Sequence, residues 1–169
     1  MGWRSDPAAG RSFSPRGQTP VIWGTGQRLG GNLISAITNR GHLQFMVFQQ
    51  RFTVAVFLKF LRRLLRQNRR RKIFLILDAH PVPLARGALR WCQRHRPALR
   101  VYFLPGYSPE LNPDEGLNPD VKTNAVGRIR PLNREEMIGN VRACLRSPQA
   151  HRSAVKRYFQ EEHVRYASV

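Results

Sequence analysis

The sequence is poor in cysteine, in acidic residues and in long apolar runs, and each shortage excludes a class of protein. Only two cysteines, Cys92 and Cys144, occur in 169 residues, which excludes a disulfide framework and favours a reduced, cytosolic chain. No apolar run approaches the roughly 20 residues that span a bilayer. The opening residues MGWRSDPAAGRSFSPRG also lack the apolar core of a secretory signal. We therefore expect no membrane partner.

The shortage of acids leaves a large positive charge. Lys and Arg number 29 against 10 Asp and Glu, for a formal net charge of +19. Such an excess points to a polyanionic partner, because a protein that neutralises phosphates releases condensed counterions. The 41% hydrophobic content argues against a disordered basic tail. The length fits one domain, residues 1–169, with a core of its own.

The apolar pattern predicts strands early in the chain and then a helix. NLISAI and HLQFMVF are typical of an antiparallel hairpin, because Asn39 and Gly41 in the intervening TNRG suit a turn. TVAVFLKFLRRLLRQ follows helical spacing, with Thr53 as its N-cap. We also expect residues 1–20 to form a loop and TPVIW a short strand.

The rest of the chain alternates strands with helices. KIFLILD, which ends at Asp78, has the five consecutive apolar residues of a strand covered on both faces. A helix is predicted next in PLARGALRWCQRH, with Leu84, Ala88, Leu89 and Cys92 at helical spacing, followed by the strand RVYFLP. Asn112 and Asn133 are suited to cap two later helices. A last helix is expected from Ala154 to Phe159.

The first predicted helix carries a basic stripe opposite its apolar side. This stripe consists of Lys59, Arg62, Arg63 and Arg66. A solvated helix surface and a DNA-contacting surface both account for it, and the sequence leaves the two interpretations open.

Carboxylates stand at places where strands are predicted to end. Asp78 ends a strand, and ligands collect at the carboxyl edge of open α/β sheets. Glu115 follows the next strand, in FLPGYSPELNPDE, so the two side chains are expected to converge. Converging carboxylates repel unless a cation lies between them, and Mg²⁺ suits such oxygen ligands. As alternatives, Asp78 is a turn acid, and Asp114 and Glu115 complement a helix dipole.

One histidine lies beside this predicted edge. His80 follows Asp78 by two residues, and it either orients a substrate or caps the end of the strand. The sequence does not decide between these two roles.

Two segments resemble a known family. LILDAHPV and VYFLPGYSPELNPDE resemble the catalytic core of bacterial insertion-sequence transposases, mariner-like members of the DDE superfamily of endonucleases. SPRGQTPVI, NLISAI and QEEHVRYAS resemble flanking parts of the same group. The resemblance implies an α/β, ribonuclease H-like fold, in which helices flank a mixed sheet. It also implies metal-dependent DNA cleavage and strand transfer in transposition.

The resemblance also implies a set of site residues. In the family three acids hold two Mg²⁺ or Mn²⁺ ions; Asp78 corresponds to the second acid and Glu115 to the third, while Asp114 has no assigned role. The first acid and its central strand precede a segment like GWRSD, so an N-terminally truncated catalytic domain without the helical DNA-binding region is implied. Asp6 is the nearest candidate, but it follows the expected strand.

These implications lead to several expectations. We expect the chain to be inactive on its own, and its predicted partners are DNA in the form of transposon ends and target, in the bacterial cytoplasm near the nucleoid. A homodimer is left open, because loss of the central strand would expose KIFLILD to pairing with another copy. The alternative is a non-catalytic basic nucleic-acid-binding protein.

Overall fold

The computed structural model describes residues 2–4, 16, 29–127 and 131–168. Asp6 and the strand predicted at TPVIW lie outside these ranges. The strands are β1 (Gly2–Arg4), β2 (Gly30–Ile37), β3 (Leu43–Phe48), β4 (Ile73–Leu77) and β5 (Leu99–Phe103). The α-helices are α1 (Val54–Gln67), α2 (Pro81–Leu84), α3 (Arg86–Arg94), α4 (Leu117–Val121), α5 (Arg134–Ala150) and α6 (Arg152–Arg157).

The described strands form two sheets rather than one. β2 lies between β1 and β3 and is antiparallel to both, with Asn32 opposite Gly2 on one side and Phe48 on the other. β4 and β5 form a parallel pair with Ile73 opposite Leu99. The predicted hairpin is confirmed, and its turn contains Gly41 at φ +84°.

Helix α1 connects the two sheets through one apolar cluster. The Thr53 side chain accepts a hydrogen bond from the Val56 amide, which confirms the predicted N-cap. The helix buries the side chains of Phe57, Phe60, Leu61 and Leu64. Side chains of β2, β4 and α3 pack into the same cluster; Ile34, Ala36, Leu75, Ala88 and Cys92 are among them. One helix thereby covers one face of both sheets.

A second cluster covers the other face of β2 and β3. It consists of residues from β2, β3, α4, α5 and α6, among them Leu33, Leu43, Leu117, Met137, Val141, Leu145 and Val155. The predicted Asn133 cap of α5 is confirmed, because its side chain accepts a hydrogen bond from the Glu136 amide. Helices α4 to α6 therefore hold the β2–β3 hairpin from the side opposite to α1.

Two predictions about the strands are wrong, and one about a helix is confirmed only in part. β4 is not covered on both faces, since the side chains of Phe74 and Ile76 are 61% and 44% exposed. The helix predicted after Asp78 is interrupted at Ala85. Of the four residues expected on its apolar side, Ala88 and Cys92 are buried as predicted, whereas Leu84 and Leu89 are exposed. Gly2–Arg4 form a strand, although a loop was expected there.

The structure also shows the state of the two cysteines and whether a described helix could span a membrane. Cys92 and Cys144 are free thiols, and burial raises the pKa of both. None of the described helices is both long and apolar enough to cross a bilayer.

Candidate functional site

A cavity of about 480 Å³ lies between β2 and β4. Residues 32–37 of β2 form one wall, and Phe74–Leu77 of β4 form the opposite wall, with Asp78 at its end. Phe57 and Phe60 of α1 also line it. Polar groups from later in the chain complete the lining: His80, Asn112, Asp114, Glu115, Asn118 and Tyr166.

Asp78 is held by the turn that carries Glu115. Asn112 donates a hydrogen bond through Nδ2 to Oδ2 of Asp78 at 2.8 Å, and its Oδ1 accepts one from the Asp114 amide at 3.1 Å. The predicted cap is therefore present, but the same side chain has a second role that the sequence did not reveal. Asn112 fixes the end of β4 relative to the following turn.

Glu115 lies in a 3₁₀ turn, Pro113–Gly116, immediately before α4. Its Oε2 accepts a hydrogen bond at 2.7 Å from Nδ2 of Asn118, a buried residue one helical turn later. A Cβ at Gly116 would lie only 2.8 Å from Cδ1 of Tyr158, so glycine allows the tyrosine ring to pack against this turn. The structure thus brings Asp78 and Glu115 to one cavity, each bound by an asparagine.

Asp114 is the most buried carboxylate of the site. Ser35 on β2 donates a hydrogen bond from Oγ to Oδ2 of Asp114 at 2.6 Å, while Oδ1 is buried without a hydrogen-bond partner. Burial raises the pKa of Asp114 to about 6; the Ser35 hydrogen bond opposes the shift, and the charges of Glu115 and Asp78 add to it. Ser35 and Asp114 together attach the Glu115 turn to β2.

We expect Asp114→Asn to stabilise the metal-free protein more at pH 8 than at pH 5. Because the folded-state pKa of Asp114 is raised, stability decreases as pH rises from the unfolded-state pKa near 4 through the folded-state value of about 6. The neutral amide of asparagine removes this pH dependence of the free energy of unfolding, which amounts to about 1–3 kcal/mol.

Urea unfolding in EDTA at both pH values measures the effect. Glu110→Asn, at an exposed acid on the neighbouring turn, is the control and should show no comparable pH-dependent gain. An equal effect of Asp114→Asn at both pH values would contradict the assignment.

His80 and Tyr166 lie at the rim of the cavity. The Nδ1 atom of His80 accepts a hydrogen bond from the Val82 amide at 3.2 Å, and its ring packs 5.3 Å from that of Phe52. Tyr166 donates a hydrogen bond to the Leu111 carbonyl at 2.7 Å, and burial together with the Asp78 charge raises the pKa of its phenol. His80 therefore caps the start of α2, which follows the end of β4, and its side chain also lines the cavity.

The basic stripe on α1 is exposed but does not line the cavity. Arg63 donates a hydrogen bond to the Phe45 carbonyl at 3.2 Å, and the Arg62 guanidinium lies 5.9 Å from the centre of the Trp91 ring. Lys59 and Arg66 extend from the same helix surface into solvent. Two of the four predicted DNA contacts thus also make contacts within the protein.

The carboxylates suit a hard divalent cation in their chemistry. Asp78 and Glu115 provide oxygen ligands of the kind that Mg²⁺ and Mn²⁺ prefer, and the unpartnered Oδ1 of Asp114 adds a buried acceptor to the same lining. Among the described residues, however, no group of three His, Cys, Asp or Glu side chains is close enough to hold an ion. The residues present fit part of a metal centre.

The chain matches the model of a protein family. Residues 1–138 match the family model described as DDE superfamily endonuclease, and these residues include both Asp78 and Glu115. No curated protein matches the sequence. The segment that contributes Tyr158 and Tyr166 lies outside the matched range.

Comparison with solved structures shows the fold. The Mos1 strand transfer complex matches with a TM-score of 0.67 at 16% identity, over 100% of this chain and 53% of that one. The Mos1 mariner paired end complex with Mn gives 0.69 at 14% identity, over 93% and 50%. The Mos1 transposase paired-end complex with left transposon end gives 0.62 at 13%, over 95% and 54%. The chain spans about half the length of these proteins and shares their ribonuclease H-like α/β fold.

Proposed function

Because the chain belongs to the DDE superfamily of endonucleases, we propose that its cavity is a metal-dependent site for phosphoryl transfer on DNA, with Asp78 and Glu115 as metal ligands. One observation carries the proposal. Two acids from separate parts of the sequence line one cavity, and an asparagine binds each of them. Acidic residues that only stabilise turns would not be expected to line the same cavity in a protein that has 10 Asp and Glu residues.

In this proposal the two carboxylates bind the metal ions, and the two asparagines position the carboxylates. Two-metal chemistry supplies an activated oxygen nucleophile and stabilises the leaving oxygen of a phosphodiester. Asp78 and Glu115 would provide carboxylate oxygens for the ions. Asn112 and Asn118 each donate a hydrogen bond to one carboxylate oxygen, which fixes the carboxylate plane and leaves the other oxygen for ligation.

His80 is suited to contact a phosphate. Because its Nδ1 accepts the Val82 amide hydrogen bond, the neutral ring carries its proton on Nε2 and offers a donor to the cavity. The exposed Lys59 and Arg66, with Arg62 and Arg63, would add sequence-independent attraction to the DNA backbone. Together these groups would hold a phosphodiester near the carboxylates.

The nucleic acid is inferred from the structural relatives. The Mos1 structures are a strand transfer complex and paired-end complexes, one of them with a transposon end. We extend a DNA substrate, and transposition as the process, to this chain. An insertion-sequence origin and a bacterial cytoplasmic location near the nucleoid belong to the same proposal.

The 169-residue protein itself should be a poor nuclease. Its described residues provide no compact group of three acids, and two-metal sites depend on shared carboxylates to hold both ions against their mutual repulsion. We therefore propose that it binds divalent ions weakly and does not cleave DNA on its own.

Titration with Mn²⁺, followed by electron paramagnetic resonance, tests the metal ligands. Loss of a group that only supports a metal ligand typically weakens metal binding by about 10–100-fold, so Asp78→Asn and Glu115→Gln, which change the ligands themselves, are each expected to weaken Mn²⁺ binding by at least about tenfold. Glu110→Gln removes an exposed acid from the turn next to Asn112 and is the matched control, with unchanged affinity expected. Unchanged Mn²⁺ affinity in both site variants would rule out the proposed ligands.

A nicking assay on supercoiled DNA with Mg²⁺ or Mn²⁺ tests the activity separately. We expect no cleavage above the level without metal. Robust nicking that is lost in Asp78→Asn would refute the inactivity of the chain and support the site. Salt-sensitive DNA binding that is identical in all variants, without metal binding, would favour the non-catalytic alternative.

A further inference from the structure

A group of basic residues lies at the turn between β2 and β3, outside the cavity. Arg40 and His42 belong to this turn, the segment between α1 and β4 contributes the basic run RRRK at residues 69–72, and α6 begins at Arg152. The arginine side chains are exposed, and that of His42 is partly buried. None of these residues lines the cavity between β2 and β4. We refer to Arg40, His42, Arg71 and Arg152 as the turn cluster.

Close packing holds the turn against the start of α6. The Gly41 amide donates a hydrogen bond to the Thr38 carbonyl at 2.8 Å, and the His42 amide donates one to Oγ1 of Thr38 at 3.1 Å. The backbone of Gly41 lies so near α6 that a Cβ there would be 2.6 Å from the Cβ of Arg152. The two basic residues beside Gly41 are therefore brought next to the first residue of α6.

The imidazole of His42 shows that these positive charges converge. Burial is the largest cause that lowers its pKa, and the charges of three guanidinium groups lower it further. In order of decreasing effect, these belong to Arg152, Arg71 and Arg40. No carboxylate of the described residues is among the charges that shift His42. Three separate segments thus bring cations to one imidazole without an acid to offset them.

An anion would relieve the repulsion within the turn cluster. Like charges that are close together destabilise the compact state, and residues 7–77, which include the turn and the RRRK run, contain no Asp or Glu. The planar guanidinium group of arginine binds two oxygens of a phosphate at once, so several arginines around one point favour a phosphate group. A nucleic-acid backbone presents such groups and releases counterions when they are neutralised.

The turn cluster and the carboxylates of the cavity lie near opposite ends of β4. Lys72 precedes this strand and Asp78 follows it, six positions later in the sequence. Extended chain of this length spans about 20 Å. Arg71, which adjoins Lys72, is therefore at the end of β4 that is remote from Asp78. A phosphate bound at the turn cluster is consequently a different one from a phosphate at the cavity.

We propose that the turn cluster binds a phosphate group of a nucleic-acid backbone, at a site separate from the cavity between β2 and β4. The guanidinium groups of Arg71 and Arg152 donate hydrogen bonds to the phosphate oxygens, and His42 adds a donor when it takes up a proton. Because the phosphate opposes the positive charges around His42, proton uptake by His42 and binding of the phosphate favour each other. The site shares a nucleic-acid partner with the proposed function but does not depend on the metal ligands.

NMR titration of the His42 imidazole tests the turn cluster and its occupant. Without DNA, the double variant Arg71→Gln/Arg152→Gln should have a higher His42 pKa than the unchanged protein, because two positive charges are removed. A DNA duplex of about 20 base pairs should raise the His42 pKa of the unchanged protein, compared with the same ionic strength without DNA. A His42 pKa that does not respond to the duplex would overturn the proposal.

The salt dependence of DNA affinity tests the phosphate contact itself. Loss of one phosphate contact in Arg71→Gln/Arg152→Gln should reduce the slope of log affinity against log salt by about 1. The matched control is Arg142→Gln/Arg146→Gln, which removes the same charge from exposed positions of α5 and should leave the slope unchanged. An equal reduction in both double variants would assign the attraction to the overall charge and overturn the site.

Two further measurements separate this site from a free-phosphate site and from the cavity. Inorganic phosphate that raises the His42 pKa as much as the duplex, at the same concentration of phosphate groups, would indicate a site for free phosphate and overturn the nucleic-acid assignment. Asp78→Asn should leave the response of His42 to the duplex unchanged. Loss of that response in Asp78→Asn would overturn the separation of the two sites, whereas failure of the Mn²⁺ titration would affect the proposed metal ligands alone.

Discussion

Gly41→Ala is expected to lower the free energy of unfolding by about 3 kcal/mol, because two unfavourable effects act at one residue. Gly41 has φ +84°, which side-chain-bearing residues rarely adopt. A Cβ would also lie 2.4 Å from the carbonyl oxygen of Arg152 and 2.9 Å from its carbonyl carbon, at the start of α6. These are backbone atoms, so relief of the clash requires the hairpin and α6 to separate.

Gly139→Ala is the matched control for this substitution. Gly139 lies inside α5, and a Cβ there would have no atom within 4 Å. Alanine should therefore stabilise the helix by about 0.5–1 kcal/mol. Urea unfolding followed by circular dichroism measures both variants. A loss of less than about 1 kcal/mol for Gly41→Ala would mean that the turn and α6 are not in this contact.

Features that depend on neighbouring residues could be predicted from the sequence. The β2–β3 hairpin follows from two apolar runs around a turn that contains Gly41, and α1 follows from its spacing and the Thr53 cap. The two acids of the cavity were also located, because LILD and NPDE place Asp78 at a strand end and Glu115 near a helix start. Each of these signals lies within a few residues of the element that it determines.

Features that depend on distant residues could not be predicted. Asn112 binds Asp78 and Ser35 binds Asp114, and in each pair the two residues are far apart in the sequence. A single sequence gives no signal for such pairs, because serine and asparagine also occur in strands and caps for local reasons. The sequence does not predict the exposure of Phe74 and Ile76 for a related reason. An apolar run shows that both faces of a strand could be buried, but it does not show that other elements pack on both faces.

Phe57→Ala is expected to lower the free energy of unfolding by about 3–5 kcal/mol, the largest effect that we predict for a single side chain. Phe57 is 1% exposed at the centre of the α1 cluster, and its ring makes an edge contact with Phe52 at 6.2 Å. It also lines the cavity between β2 and β4. The substitution therefore removes the packing that holds α1 against both sheets and enlarges a cavity that is already present.

Phe74→Ala is the control, because this phenylalanine lines the same cavity but is 61% exposed. Its loss should cost less than about 1 kcal/mol in urea unfolding, since little apolar area returns to water. The comparison of Phe57→Ala with Phe74→Ala tests both the packing of the α1 cluster and the exposure of one face of β4. Equal losses for the two variants would show that the side chain of Phe74 is covered in solution, which would contradict its exposure on β4. A large loss for Phe57→Ala alone would agree with a buried Phe57 in the α1 cluster and an exposed Phe74 on β4.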